Sequence, residues 1–300
     1  MKLFLIWPTQ APEVNVLLNE LTNAGHEIAY WVGEYPVAHL NPRGCVFHDH
    51  YDAWDGKPAA ALKDVAFAPV SADLASKCFA VESAALSMMD KRYDSAPVSE
   101  RKHIYYAMLS YWNGVLDRYK PDAVVFANIP HSVYNYILYE LARARGLRTP
   151  CFEETWVASR FLMYEDFWNG SDELRTEIKR TLAHGAKESE LGEELRAYWE
   201  EQTRPHSQAA PVYMANRRST SEGWGLLKHR VRIAYKALLA GNLPSLVYGY
   251  IRRPGKKDLK KEYARVVREA DWNTPFVYFP LHFQPERTTS PQGGVYNDQL

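Results

Sequence analysis

The order of elements in the first 32 residues restricts the possible folds most strongly. Lys2 to Trp7 is an apolar run typical of a strand, and Glu27 to Val32 is a second one. Between them, Pro12 to Ala24 carries apolar residues at helical spacing, and Gly25 is a typical residue at a helix C-terminus. Two strands joined by a helix in so short a stretch form a βαβ unit, so this pattern predicts parallel strands.

The same order of elements returns in the middle of the chain. Ala123 to Ala127 is typical of a strand, Ser132 to Arg145 of a helix ended by Gly146, and Arg148 to Phe152 of another strand. A loop-rich stretch over 33–63 and two helical patterns, over 71–91 and 98–119, separate the two units. Repeated βαβ units with helices between them predict an α/β protein with a Rossmann-like, doubly wound parallel sheet.

The rest of the chain predicts a second domain. Residues 171–202 form an acidic helical pattern, and 276–283 is apolar nearly throughout, as a buried parallel strand should be. We therefore expect an N-terminal domain over 1–203, a basic helical linker region over 204–272 and the start of a C-terminal domain over 273–300. Because one strand cannot bury its own faces, we expect the second domain to be incomplete at Leu300 and this piece to be inactive alone.

Charge is distributed unevenly along a chain whose formal net charge is zero. Residues 217–261 hold twelve Lys and Arg against two acids, Glu222 and Asp258, a local excess of ten positive charges. Such a segment favours a polyanion or an anionic membrane surface as its neighbour. The prediction is a cytoplasmic protein, peripheral on the inner membrane, that contacts lipid headgroups through Arg252, Arg253, Lys256 and Lys257. A nucleic-acid partner is not expected, because the overall charge is neutral and no recognised module is present.

Two features agree with a cytoplasmic location. No signal peptide or long apolar span is present, and the three cysteines are widely spaced, which favours free thiols in a reducing compartment.

Polar residues directly after predicted strands are the candidates for chemistry, because ligands bind beyond the carboxyl ends of parallel strands. Glu153 and Glu154 are candidate catalytic acids or bases, and His131 follows another strand at the start of a helix, where an anion could bind. Asn128 and Arg160 lie on the same set of loops and are candidate substrate ligands. The alternatives are a solvated acidic loop for the glutamates and a simple capping turn for His131.

Other motifs are weaker or absent. His48, Asp49 and His50, with Asp52 and Asp55, resemble a metal cluster, but no further ligand is fixed by the sequence, so we predict no metal site and a polar cleft loop instead. The chain lacks a G-x-G-x-x-G loop, a Walker motif and a G-x-S-x-G elbow.

The segment FVYFPLHFQPERTTSPQGGVYNDQL at 276–300 resembles the start of the second domain in the capsule polysaccharide biosynthesis proteins, a family that includes retaining Kdo-transferases. The shared motif is Gln284-Pro285-Glu286. Stretches around 119–128, 139–146 and 152–155 are similar to that family's first domain. The resemblance implies a GT-B-like fold with a nucleotide sugar between two Rossmann-like domains, and it makes Gln284 and Glu286 donor-side residues. His282, at the same strand exit, is a further candidate substrate ligand.

The resemblance implies a glycosyltransferase of capsular or surface polysaccharide biosynthesis. Such an enzyme transfers a sugar from a nucleotide-sugar donor, with CMP-Kdo as one candidate, to a lipid-linked glycan acceptor, and it needs no tightly bound cofactor. Two alternatives stay open at this point. One is a polysaccharide assembly or export factor that keeps the fold without the chemistry, and the other is a nucleotide-sugar epimerase with the same architecture.

Overall fold

The computed structural model describes most of the first two thirds of the chain and parts of the remainder. The described residues are 1–155, 157, 160–185, 187–204, 227–228, 231–232, 259–269, 271, 273–277, 279, 282 and 286–297. The chain divides into two compact units, one of Met1–Glu190 with Pro280–Leu300 and the other of Leu191–Phe279. Residues 280–300 therefore belong to the first unit, whereas the sequence places them in a separate domain.

The first unit is built on a six-stranded sheet. Its strands are β1 (Lys2–Ile6), β2 (Glu27–Gly33), β3 (Val46–Asp49), β4 (Ala123–Phe126), β5 (Cys151–Glu154) and β6 (Phe161–Tyr164). Their order across the sheet is β3-β2-β1-β4-β5-β6, and every neighbouring pair is parallel except β5 and β6. This confirms the predicted α/β class and the mostly parallel sheet.

Helices cover the sheet from both sides because the strands carry apolar residues on both faces. The helices of the first unit are α1 (Val14–Asn23), α2 (His50–Trp54), α3 (Ala72–Lys77), α4 (Phe79–Met88), α5 (Val98–Tyr119), α6 (Val133–Ala144) and α7 (Asp172–His184). On one face, Val14 and Leu18 of α1 pack against Leu5 and Trp31 of the strands. The larger core lies on the other face, under α4, α5 and α6.

This two-sided arrangement creates a crevice in the sheet. The chain leaves β1 through α1 toward β2 on one side, and it leaves β4 through α6 toward β5 on the other. The connections after β1 and β4 thus run to opposite sides of the sheet. The position between the carboxyl ends of these two strands is the topological switch point, where α/β proteins bind ligands.

Several local predictions are confirmed. The first helix ends before Gly25, whose φ of 80° is the left-handed conformation that glycine adopts without a Cβ clash. Helix α5 occupies the predicted range, and α6 begins after Ser132 and ends before Gly146. The predicted helix over 71–91 is divided into α3, α4 and a short 3₁₀ turn.

Three strand predictions need correction. The stretch 33–63, predicted as loops, contains β3, a four-residue strand whose short pattern is hidden between glycines and prolines. Strand β6 was not predicted either. The buried strand predicted over 276–283 is wrong for the residues that the structure describes there: none is in a strand, and Phe276, Val277 and Phe279 are exposed. An apolar run becomes a strand only when a neighbouring strand accepts its backbone hydrogen bonds.

The second unit contains α8 (Glu193–Gln202) and α9 (Leu259–Val266) among its described residues. Within the described parts of the chain, no helix is both long and apolar enough to span a bilayer. The predicted membrane-contacting residues Arg252, Arg253, Lys256 and Lys257 lie outside the described residues.

Candidate active site

The carboxyl ends of β4 and β5 bring together several of the predicted site residues. Asn128 and His131 follow β4, Glu153 and Glu154 end β5, and Arg160 lies on the loop between β5 and β6. These positions flank the switch point between β1 and β4. We refer to Glu153, His131, Lys91, Glu286 and Arg287 as the edge cluster, because charged and imidazole groups from four parts of the chain meet there.

Glu153 is held by two partners. The Tyr164 hydroxyl of the neighbouring strand β6 donates to Glu153 Oε2 at 2.6 Å, and Arg287 Nη2 lies 2.9 Å from Glu153 Oε1. Burial, followed by the hydrogen bond to Glu153, raises the pKa of Tyr164, so its hydroxyl stays protonated and remains a donor. The carboxylate is therefore fixed in place with one positive and one neutral donor.

Glu154 does not act as a pair with Glu153. Successive residues in a strand point to opposite faces of the sheet, and Glu154 is exposed while Glu153 is half-buried. The interpretation of Glu153 and Glu154 as paired carboxylates is therefore corrected by the strand geometry, because β5 extends through both residues. Glu153 is the one that belongs to the edge cluster.

His131 is a neutral imidazole at neutral pH. Burial lowers the pKa of His131, the positive charges of Lys91 and Arg287 lower it further, and the hydrogen bond to the Ile129 carbonyl and the charge of Glu286 oppose this. The 2.7 Å contact between His131 Nδ1 and the Ile129 oxygen places the ring proton on Nδ1, since a carbonyl only accepts. Nε2 then carries the lone pair and can accept a proton.

The positive charge at this edge comes from residues that the sequence did not single out. Lys91 Nζ lies 3.5 Å from Glu286 Oε2, and Arg287 pairs with Glu153. Arg287 directly follows the Gln284-Pro285-Glu286 motif in sequence, and this position is the signal that identifies it as a candidate site residue. Lys91 ends a 3₁₀ turn after α4, far in sequence from both Glu153 and Glu286, and no local pattern identifies it as a site residue.

Residues 286–297, which we call the docked segment, belong to the first unit and pack against its earlier residues. Glu286 N donates to Thr289 Oγ1 at 3.0 Å, Thr289 N donates to the Glu286 carbonyl at 3.0 Å, and Ser290 N donates to the same carbonyl at 2.7 Å. Thr289 and Ser290 are buried. This turn sets Glu286 and Arg287 side by side, toward Lys91 and Glu153.

The helix start after His131 is largely self-capped. Ser132 N donates to Asn135 Oδ1 at 2.8 Å, and both residues are buried. One of the amides predicted to hold an anion is thus already satisfied, and Lys91 and Arg287 are the better candidates for that role.

The other predicted ligands have mixed positions. Arg160 is exposed at the edge, and its carbonyl accepts from Thr155 N at 3.0 Å. His282 Nδ1 lies 3.4 Å from Thr288 Oγ1, and Asn128 is half-buried after β4. Gln284 lies outside the described residues.

The His-Asp-His motif has structural partners instead of a shared ligand. His48 is 1% exposed, with Nδ1 2.8 Å from the Tyr30 hydroxyl and Nε2 3.0 Å from the Lys57 carbonyl. His50 begins α2, and its Nδ1 contacts the Tyr134 hydroxyl at 2.8 Å. Asp49 caps α2. The predicted polar cleft loop is corrected for His48, since the strand turns this side chain into the core.

Among the described residues, no group of three or more His, Cys, Asp and Glu side chains is arranged to hold a metal ion. All three cysteines are free, and Cys78 and Cys151 are buried.

Comparison with known proteins yields no relative for this chain. No protein-family model, no curated protein and no solved structure matches it. Function must therefore be argued from the edge cluster itself.

Proposed function

We propose that this chain acts in a glycosyltransferase reaction of surface polysaccharide biosynthesis, the transfer of a sugar from a nucleotide-sugar donor to a lipid-linked glycan. One observation carries the proposal. Glu286, the described residue of the Gln-Pro-Glu motif, and Glu153 lie far apart in the sequence, and Arg287, which follows Glu286, forms an ion pair with Glu153 at the carboxyl edge of a Rossmann-like sheet. A GT-B-like arrangement of two such domains is part of this proposal.

The edge cluster has the groups that glycosyl transfer requires. His131 Nε2 accepts the proton of the acceptor hydroxyl, whose oxygen forms the new bond to the anomeric carbon of the donor. As the bond from that carbon to the donor phosphate breaks, its electron pair stays on the phosphate oxygen, and Lys91 and Arg287 neutralise the developing charge. Glu153 stabilises the positive charge that develops on the sugar ring.

Donor binding tests this assignment. We expect one class among cytidine, uridine and guanosine sugar nucleotides to raise the thermal midpoint of the protein, and Lys91→Ala to remove most of that increase. Lys77→Ala is the matched control, because Lys77 is also an exposed lysine in an ion pair, 2.8 Å from Asp73, but on α3. The proposal fails if no nucleotide sugar stabilises the protein, or if both lysine variants reduce the effect equally.

One observation favours a second candidate, the assembly or export factor. Both carboxylate oxygens of Glu153 have a protein partner, as a purely structural side chain would. A factor of this kind would bind glycan without needing Glu153 for product formation. Glu153→Gln therefore separates the two candidates, because the amide keeps the size of the side chain and removes its charge.

A further inference from the structure

We propose that a cavity beside the docked segment binds a neutral saccharide and serves as the acceptor subsite of the enzyme. The cavity has a volume of about 500 Å³, within the usual range for small-molecule sites. It lies between α4, α6, the turn after β6 and the docked segment, all within the first unit. Its assignment as an acceptor subsite rests on the proposed function, whereas its preference for sugar rests on its own lining.

Aromatic rings form much of the lining. Phe79 of α4, Tyr136 of α6 and Trp168 all border the cavity. The C–H faces of a sugar ring are weakly apolar and pack against aromatic rings. Phe79 is 76% exposed and Trp168 is 41% exposed, so both rings are open to a ligand.

Trp168 is held in position before any ligand arrives. Its indole Nε1 donates to Glu140 Oε1 at 3.1 Å, and its backbone N donates to Asp166 Oδ1 at 3.0 Å. Asp166 also accepts from the Tyr139 hydroxyl at 2.7 Å and from Arg143 at 2.8 Å, which ties the turn to α6. A ring fixed in this way loses little conformational entropy when a ligand stacks on it.

A buried hydroxyl in the lining needs a partner. Ser290 borders the cavity, is 5% exposed, and its Oγ has no hydrogen bond with any described residue. Leaving such a group unsatisfied costs about 1–3 kcal/mol. The Oγ atom itself has less than 1 Å² of accessible surface, so a sugar hydroxyl reaches it only when the docked segment shifts to open it. The hydroxyl can then both donate to and accept from Ser290.

The polarity of the lining selects neutral ligands. Apart from Ser290, its side chains with polar groups among the described residues are Ser83, Asn297, Tyr136 and Trp168, and no described lining residue carries a charge. A phosphate or carboxylate would be desolvated there without a counter-ion, which is costly. The charged donor therefore fits the edge cluster, and an uncharged sugar fits the cavity.

The docked segment places the two sites next to each other. Ser290 follows Arg287 by three residues, and Arg287 contacts Glu153. Three residues of chain span at most about 11 Å, so the Cα atoms of Ser290 and Arg287 lie within that distance of each other. One short piece of chain thus links the cavity to the edge cluster.

Saturation-transfer NMR on the 300-residue chain tests the subsite without any nucleotide donor. The probes are maltose, cellobiose, N,N′-diacetylchitobiose and octyl glucoside. We expect transfer to the ring protons of at least one probe, lost in Trp168→Ala and retained in Trp199→Ala, a matched exposed tryptophan on α8. Ser290→Ala should weaken binding about fivefold, the equivalent of one hydrogen bond. The same variant should keep or raise the thermal midpoint, because it removes an unsatisfied hydroxyl.

Three results would overturn the subsite: no transfer to any probe, transfer only to the alkyl protons of octyl glucoside, or unchanged affinity in Ser290→Ala. The outcome is separable from that of the proposed function. Saccharide binding by a protein that no nucleotide sugar stabilises would retain the subsite and reject the proposed function. Stabilisation by a nucleotide sugar without binding of any saccharide probe would do the opposite.

Discussion

The buried His48 makes the stability of the fold depend on pH in a calculable way. Burial lowers the pKa of His48 from 6.5 to about 4, although the hydrogen bond to Lys57 and the charges of Asp52 and Asp49 oppose the shift. The unfolded chain therefore takes up a proton at higher pH than the folded chain. Stability from this residue is complete above the unfolded pKa and is lost as pH falls from there toward the folded pKa.

The size of the effect follows from the shift. A difference of about 2.5 units corresponds to about 3 kcal/mol, since each unit is worth about 1.4 kcal/mol. His48 is 1% exposed, so solvent screening does not reduce this figure much. Most of the loss falls between about pH 6.5 and pH 4, where the unfolded histidine is charged and the folded one is still neutral.

Urea unfolding over that pH range measures the loss, with His48→Gln as the comparison. The glutamine amide can accept from Tyr30 and donate to the Lys57 carbonyl, but it does not titrate. We expect the free energy of unfolding to fall about 2–3 kcal/mol more in the wild type than in the variant. The pKa values of His50 and His131 are also lowered by burial, and their effects cancel in this difference. Equal pH slopes in both proteins would refute the reasoning, as would an NMR titration of His48 with a midpoint near 6.5.

Three further predictions concern the site and the core. In a preparation of the enzyme that transfers sugar, Glu153→Gln should reduce the transfer rate at least tenfold while leaving the thermal midpoint nearly unchanged, which an activity assay with a melting curve would check. Replacing Arg252, Arg253, Lys256 and Lys257 by alanine should weaken sedimentation with anionic vesicles and leave neutral vesicles unaffected; unchanged sedimentation would reject the membrane contact. Gly114→Ala in α5 should lower stability by about 1–3 kcal/mol in urea unfolding, against the helix propensity of alanine, because the new Cβ would lie 2.1 Å from Phe67 Cδ1.

The part of the fold that could be predicted from sequence is the part specified by local pattern. The helical spacing in α1 and the apolar runs of β1, β2 and β4 follow from residues within one element. β6 could not be predicted in this way, because its Phe161–Tyr164 run is stabilised by antiparallel pairing with β5. The strand prediction for 276–283 is wrong for the converse reason, since no described residue there pairs with a neighbouring strand.

The candidate site was predictable to a similar extent. Glu153 lies at the end of β5 and His131 follows β4, and a strand end is visible in the sequence. Lys91 and Tyr164 reach the site through tertiary packing, which depends on how helices and strands are arranged in space. His48 shows the same limit, because only the packing of Tyr30 and Tyr111 around it distinguishes a core histidine from a ligand.

The docked segment is held by contacts of unequal strength, and this bears on how the site works. Its ion pairs, Lys91 with Glu286 and Arg287 with Glu153, are partly exposed, and such pairs contribute less than about 1 kcal/mol each. Burial of Ser290 without a partner opposes docking by about 1–3 kcal/mol, at least as much as one of these pairs contributes. The segment is therefore only weakly stabilised by its polar contacts, as ligand-binding elements commonly are. A saccharide that bonds to Ser290 would remove the opposing term, so acceptor binding and the placement of Arg287 against Glu153 should strengthen each other.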